Sequence, residues 1–390
     1  MATKQAIKNS STDILLFAED PGAANFLIPV YSCLLENGLT VKVLVAGIAE
    51  EYFGKSNIPY ETICSQNKAA DIFDQINPKV LITGTACNPD TMGLLMIDVA
   101  KKRGILSISV VDAIMNAELR FCGRTENCMA YVPDWVLVPE EGIKREFVGL
   151  GISKDRILVC GHPHYDYLLE KKKLFDSQNT SVIRAKQLPE APPEQKVVVF
   201  ACEGSVRISP INQEELAVYT FRGRGFARGR TEIVMEEFLD ALTSMGHQPY
   251  LILRIHPKDC MEDYALYLSE FDLVSQGGDP LELLYASDLV VGMTSMLLQE
   301  AVVLGVPVLS IVPRLIEKEW LPTVRSGITA CVTTREELKN QLELLLSNGG
   351  SKNKIQTIID QGSSKRIVAF IKSEICARKL SEGNVVFNNA

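Results

Sequence analysis

Short runs of apolar, largely β-branched residues recur along the chain, each followed by a longer stretch with helical spacing. The pattern halts once, over a polar segment, and then resumes. In the first half the predicted strands are Asp13–Ala18, Thr40–Ala46, Val80–Thr83, Leu106–Val111, Trp135–Val138 and Ile157–Cys160, with predicted helices such as Ala24–Asn37, Thr91–Arg103 and Glu140–Leu150 between them. Strands that are apolar throughout belong in parallel sheets covered by helices on both faces. The interruption, 171–195, holds Lys171, Lys172 and Lys173, a run of polar residues, and Pro189, Pro192 and Pro193. Beyond it the second half predicts strands Val197–Ala201, Tyr250–Arg254, Phe271–Val274, Leu289–Val291, Val308–Ile311 and Ala330–Val332.

The expected fold is therefore α/β, with two Rossmann-like doubly wound domains facing a central cleft. The divisions are 1–167 for the first domain, 168–195 for a linker with one helix, 196–350 for the second domain and 351–390 for a helical tail. The tail carries a further amphipathic helix over 364–380.

Composition narrows the function. A chain of 390 residues with 46% hydrophobic residues has enough apolar surface for two cores. A net charge of −8 argues against a general nucleic-acid binder. The 10 cysteines include no Cys-x-x-Cys pair and mostly lie within apolar runs, as reduced thiols do, so no structural metal is expected. Residues 1–6 carry no apolar leader, and Leu289–Val312 is broken by polar residues, so a cytoplasmic protein is expected.

Ligands of doubly wound sheets bind beyond the carboxyl ends of the strands. The turn Gly292-Met293-Thr294-Ser295 closes an apolar strand and opens a helix that carries Glu300. Hydroxyls and free N–H groups at a helix start suit a phosphate, while the same residues also serve as ordinary caps. Arg254, His256 and Lys258 close another strand around Pro257 and offer three phosphate partners. Gly204 and Ser205 follow the first strand of the second half. Asp20 and Asp112 close strands of the first half, where each fits either a helix cap or a general base. Arg222, Arg224, Arg228 and Arg230 lie among glycines in a basic loop that is either a solvated connection or a lid over an anionic ligand. Gly161-His162-Pro163-His164-Tyr165-Asp166 ends the first half; its His-x-His lacks an adjacent third metal ligand.

The strand, hydroxyl turn, Glu300 helix and following Leu304-Gly305-Val306-Pro307-Val308 resemble the donor segment of GT-B glycosyltransferases and of the UDP-N-acetylglucosamine 2-epimerases related to them. His256-Pro257 resembles the His-Pro motif of bacterial sialyl-, Kdo- and glycerophosphotransferases. Gly161…Asp166 resembles the Gly-x-Pro-x-x-Asp segment that leads out of the first domain.

The resemblance implies a metal-independent glycosyltransferase of polysaccharide or glycoconjugate assembly, with no cofactor and with a tail helix that returns across the cleft to the first domain. Its UDP- or CMP-linked donor is held by Gly204, Ser205, Arg254, His256, Lys258, Thr294, Ser295 and Glu300. A glycan or lipid-linked acceptor, with at most peripheral membrane contact, is activated in the first domain by Asp20 or Asp112, and His256 assists catalysis. The alternative it implies is a non-hydrolysing UDP-sugar 2-epimerase. That family's His-Val-Glu-Ala-Gly-Leu-Arg aligns with Val110–Asn116, where its His, Gly and Arg are replaced, and its Ser-Gly-Gly turn becomes Thr294-Ser295-Met296. A further alternative is a non-catalytic scaffold that binds a nucleotide or glycan.

Overall fold

The apolar runs lie side by side as parallel strands. A computed structural model describes residues 12–64, 68–204, 216–225, 227, 229–246, 248–347 and 361–387. The chain forms two units, one of 1–167 with 360–390 and one of 168–359.

The first unit contains β1 (Ile14–Ala18), β2 (Val41–Val45), β3 (Glu61–Thr62), β4 (Val80–Gly84), β5 (Leu106–Val110), β6 (Trp135–Val138) and β7 (Ile157–Val159). They form one parallel sheet in the order β3-β2-β1-β4-β5-β6-β7. All five residues of β1 are buried, since helices cover both faces of the sheet. The order reverses between β1 and β4, which opens a crevice beyond their carboxyl ends.

The second unit repeats the plan with β8 (Val197–Ala201), β9 (Tyr250–Arg254), β10 (Leu273–Ser275), β11 (Leu289–Gly292), β12 (Val308–Ile311) and β13 (Ala330–Val332). Their order is β10-β9-β8-β11-β12-β13, with the reversal between β8 and β11. Gly292 ends β11 where a Cβ would come 3.0 Å from the Ala201 carbonyl oxygen and 2.9 Å from Leu298, so glycine permits the close approach of strand and helix.

The segment 168–195 is more ordered than a linker with one helix. It carries most of helix Pro163–Ser177 and all of helix Thr180–Gln187. Both are fixed to the second unit: Arg184 donates to Asp288 at 2.9 Å, and the Tyr285 hydroxyl donates to Asp176 at 2.7 Å. The charged residues that suggested a connection are the solvent face and ion-pair partners of these helices.

The last helix, Ser363–Phe387, packs on the first unit, where Ile367, Val368 and Ile371 enter the core beside helix Pro21–Glu36. Trp135 Nε1 donates to Glu374 at 3.0 Å, and Arg378 reaches Asp134 at 3.0 Å. Among the described residues, no helix is long and apolar enough to cross a membrane.

Candidate functional site

In the first unit the crevice residues follow β1, β4 and β5. Asp20 occupies the N-cap position of helix Pro21–Glu36; its backbone is extended, its side chain makes no capping hydrogen bond, and its carbonyl accepts from Ala24 at 3.0 Å. Its neighbour Glu19 accepts from the Thr91 hydroxyl and from Asn88 Nδ2 at 3.4 Å, which ties the end of β1 to the turn beyond β4. Asp112, just past β5, lies against the start of the same helix. A Cβ on Gly22 would fall 1.8 Å from Asp112 Oδ2. On its other side Arg120 Nη1 stands 3.6 Å from Asp112 Oδ1.

In the second unit Thr294 is committed to a protein carboxylate. Its backbone N–H donates to Glu203 Oε1, and its hydroxyl donates to Glu203 Oε2 at 2.9 Å. Ser295 caps helix Met296–Leu304, its Oγ accepting from Leu297 N at 3.2 Å. The hydroxyl turn thus follows the capping alternative at Ser295, while at Thr294 a carboxylate occupies the place expected for phosphate. A helix start offers partial positive charge, so an internal acid fills it as readily as a ligand does. Glu300, on the same helix, is buried.

Glu203, itself partly buried, belongs to a larger ion-pair network. Arg230 Nη1 donates to it at 2.8 Å, while Arg230 Nε donates to the fully buried Glu317 at 2.9 Å. Arg314 pairs with Glu317 from the other side, and both guanidinium groups lie over the Trp320 ring, at 5.7 Å and 5.3 Å from its centroid. Thr231 completes the join by donating its hydroxyl to the Gly204 carbonyl at 3.0 Å.

The arginine loop is consequently not a free lid. Arg224 forms a two-pronged pair with Glu270 at 2.7 and 2.9 Å and also bonds Asp240 at 2.9 Å. The Arg222 and Gly223 backbone N–H groups donate to Glu237 at 3.2 and 3.0 Å. Gly223 has φ +60°, and a Cβ there would meet Glu236 Oε2 at 2.3 Å, so this glycine lets the loop lie on the acidic helix instead of loosening it. Arg228 and Ser205 lie outside the described residues.

The strand-end cations diverge. Arg254 turns toward the loop after β10, bonding Ser275 at 2.9 Å and the Gly278 carbonyl at 3.4 Å. Lys258 is exposed, and its backbone N–H donates to His256 Nδ1 at 3.2 Å. With Nδ1 accepting, the neutral imidazole carries its proton on Nε2. Burial lowers the His256 pKa, opposed by the carboxylates of Asp259 and Glu203, while Lys258 adds to the lowering. A half-buried Nε2–H donor at the carboxyl edge of β9 suits a phosphate oxygen.

The sequence reading missed Glu203, Arg314, Glu317 and Trp320. Glu203 follows a buried strand directly, a placement that marks crevice residues, but its partner is 91 residues away. Among the described residues, no group of three or more His, Cys, Asp or Glu is arranged to hold a metal ion.

Residues 127–372 match the UDP-N-acetylglucosamine 2-epimerase family. The chain belongs to that family. The expectation of a glycosyltransferase is corrected by this match, which favours the epimerase alternative. Among solved structures, UDP-GlcNAc 2-epimerase of Neisseria meningitidis bound to UDP-GlcNAc is similar over 93% of this chain and 100% of that one, at 15% identity and a TM-score of 0.62. The Methanocaldococcus jannaschii UDP-GlcNAc 2-epimerase in complex with UDP-GlcNAc and UDP is similar over the same shares, at 16% identity and a TM-score of 0.66. The wall teichoic acid polymerase TagF shares the fold at 14% identity and a TM-score of 0.56, over 95% of this chain and 90% of that one. No curated protein sequence matches. The fold shared by epimerase and polymerase explains why the turn and strand motifs of this epimerase-family chain read equally well as those of a transferase.

Proposed function

We infer that the chain interconverts the C2 epimers of a UDP-linked N-acetylhexosamine. The observation that carries this reading is the reach of the family match: 127–372 takes in every strand of the second unit, with His256, Ser295 and Glu300 at its carboxyl edge.

The chemistry sets what such an enzyme must supply. Inversion at C2 breaks the C2–H bond, and no adjacent carbonyl on the ring makes that proton acidic. The proton leaves most readily as the bond from C1 to the UDP oxygen breaks. The C2–H electron pair becomes the C1–C2 double bond, the C1–O pair leaves with UDP, and a base takes the proton. Returning the proton to the opposite face while UDP adds back at C1 completes the inversion. The sequence is redox-neutral and calls for no cofactor.

Two kinds of group are needed, a carboxylate base and donors for the departing diphosphate. Asp20 and Asp112 are the proposed carboxylates. His256, through Nε2–H, and Lys258 are the proposed diphosphate donors, with Glu300 for a ribose hydroxyl. Arg254 and Thr294 are given no direct role, because their side chains are held by Ser275, Gly278 and Glu203.

The test is incubation with UDP-GlcNAc in deuterium oxide, followed by proton NMR. The expected result is loss of the C2 proton signal together with appearance of the manno epimer. Neither change at high enzyme concentration would end this reading.

A further inference from the structure

We propose that Gly22 and Arg120 form a clamp that sets the Asp112 carboxylate in position to exchange the C2 proton; the assignment rests on the epimerase reading. Asp112 follows β5, and its carboxylate is held from two directions. On one side the first turn of helix Pro21–Glu36 presents Gly22, where a Cβ would fall 1.8 Å from Oδ2 and 2.5 Å from the carboxyl carbon. Any larger residue would require the carboxylate to move. On the other side Arg120 Nη1 lies 3.6 Å from Oδ1.

Arg120 is itself fixed. It is buried, and it donates to the Thr85 carbonyl at 3.3 Å, the Thr85 hydroxyl at 3.4 Å and the Met115 carbonyl at 3.2 Å. Thr85 in turn donates its hydroxyl to the Val110 carbonyl at 3.1 Å. The guanidinium thus spans the ends of β4 and β5, and among the described residues its carboxylate partner, Asp112, stands at the long limit of an ion pair. A buried arginine costs stability unless paired and hydrogen-bonded. That cost is intelligible if its task is to orient Asp112 while leaving the carboxylate free to accept a proton. Asp112 stays partly accessible, with its side chain 17% exposed beside the 9% of Arg120.

Gly22 provides a clean probe. Its φ is not in the left-handed region, it lies in the first turn of a helix, and alanine is the better helix former. Gly22→Ala should therefore fold normally while displacing the carboxylate. A displacement on the ångström scale costs about 100-fold in rate.

The experiment measures kcat and KM for C2 deuterium exchange into UDP-GlcNAc, and UDP affinity by calorimetry, for wild type, Gly22→Ala, Arg120→Lys and Arg120→Gln. A crystal structure of Gly22→Ala accompanies it. The expected result is a moved Asp112 carboxylate, kcat lower by about 100-fold, unchanged UDP affinity, and a higher rate for the Lys variant than for Gln. Full kcat in Gly22→Ala, an unmoved carboxylate, a parallel loss of UDP binding, or Lys no better than Gln would each overturn the clamp. Absence of exchange in the wild type is a separate outcome that removes the epimerase reading and the role of Asp112 with it.

Discussion

Asp166 accepts the backbone N–H of Gly362 at 2.7 Å, across 196 residues of sequence. The same carboxylate accepts from Ser364 N at 3.4 Å, so it caps the start of the last helix from the end of the first unit's chain. Arg366 adds a bond from Nε to the Cys160 carbonyl at 3.1 Å. Asp166→Ala should cost about 1 kcal/mol, the usual value of a lost cap. Amide exchange should accelerate through 363–371 and remain unchanged in β8 and β9. Uniform acceleration across both units would contradict a local tether.

The Arg230 network yields a larger effect. Removing the guanidinium leaves the fully buried Glu317 and the partly buried Glu203 as carboxylates short of a main partner. Breaking a buried pair from one side costs about 3–5 kcal/mol. Arg230→Ala should lose stability on that scale in urea unfolding, and adding Glu317→Gln should restore part of it. A loss below about 1 kcal/mol, the ceiling for surface pairs, would show that the network is solvated.

His162 makes the first unit acid-sensitive. Burial, with a smaller contribution from His164, pushes its pKa down from 6.5 to about 3. The unfolded chain therefore binds a proton near pH 6.5 that the folded chain refuses until about pH 3. Stability from this group is fully present above pH 6.5 and declines as pH falls toward 3, by about 1.4 kcal/mol per unit. Asp13, held at about 2 against burial by Lys79 and Thr40, acts only below its ordinary 3.8. The difference in unfolding free energy between wild type and His162→Gln should thus change between pH 6.5 and 4 and stay flat above 7. Gln retains an acceptor for the His164 N–H, which now meets Nδ1 at 3.2 Å. A difference independent of pH would mean that the histidine is charged in the fold.

Much of the architecture was legible because strands such as Val197–Ala201 are apolar at every position, a pattern that only a sheet covered on both faces accommodates. The two-residue strand Glu61–Thr62 was not, since both residues are exposed and carry no periodic signal. The helices within 168–195 were hidden by the same charges that pair with Asp288 and Glu282 far along the chain. For the site, strand ends pointed to Asp112, His256 and Thr294, because crevice position follows from topology. Partnership does not: that Thr294 serves Glu203, and Arg224 serves Glu270, depends on residues 91 and 46 positions away. Activity was the least legible, since one fold serves both the epimerases and the polymerase to which this chain is similar.

Those partnerships separate Thr294 from His256 by experiment. Thr294 gives its hydroxyl to Glu203, so Thr294→Val leaves a partly buried carboxylate with one donor fewer while keeping the backbone N–H in place. The expected cost is about 1–3 kcal/mol of stability, with UDP affinity unchanged. His256 instead keeps Nδ1 on the Lys258 N–H, and its Nε2–H is the group assigned to phosphate. His256→Ala should weaken UDP binding by about 1.5–3 kcal/mol, the worth of a charge-assisted hydrogen bond, with little change in unfolding free energy. Calorimetric titration of UDP into both variants, alongside urea unfolding, checks the pair. If Thr294→Val loses UDP affinity while keeping its stability, phosphate displaces Glu203 at the helix start and the assignment of donors must be reversed.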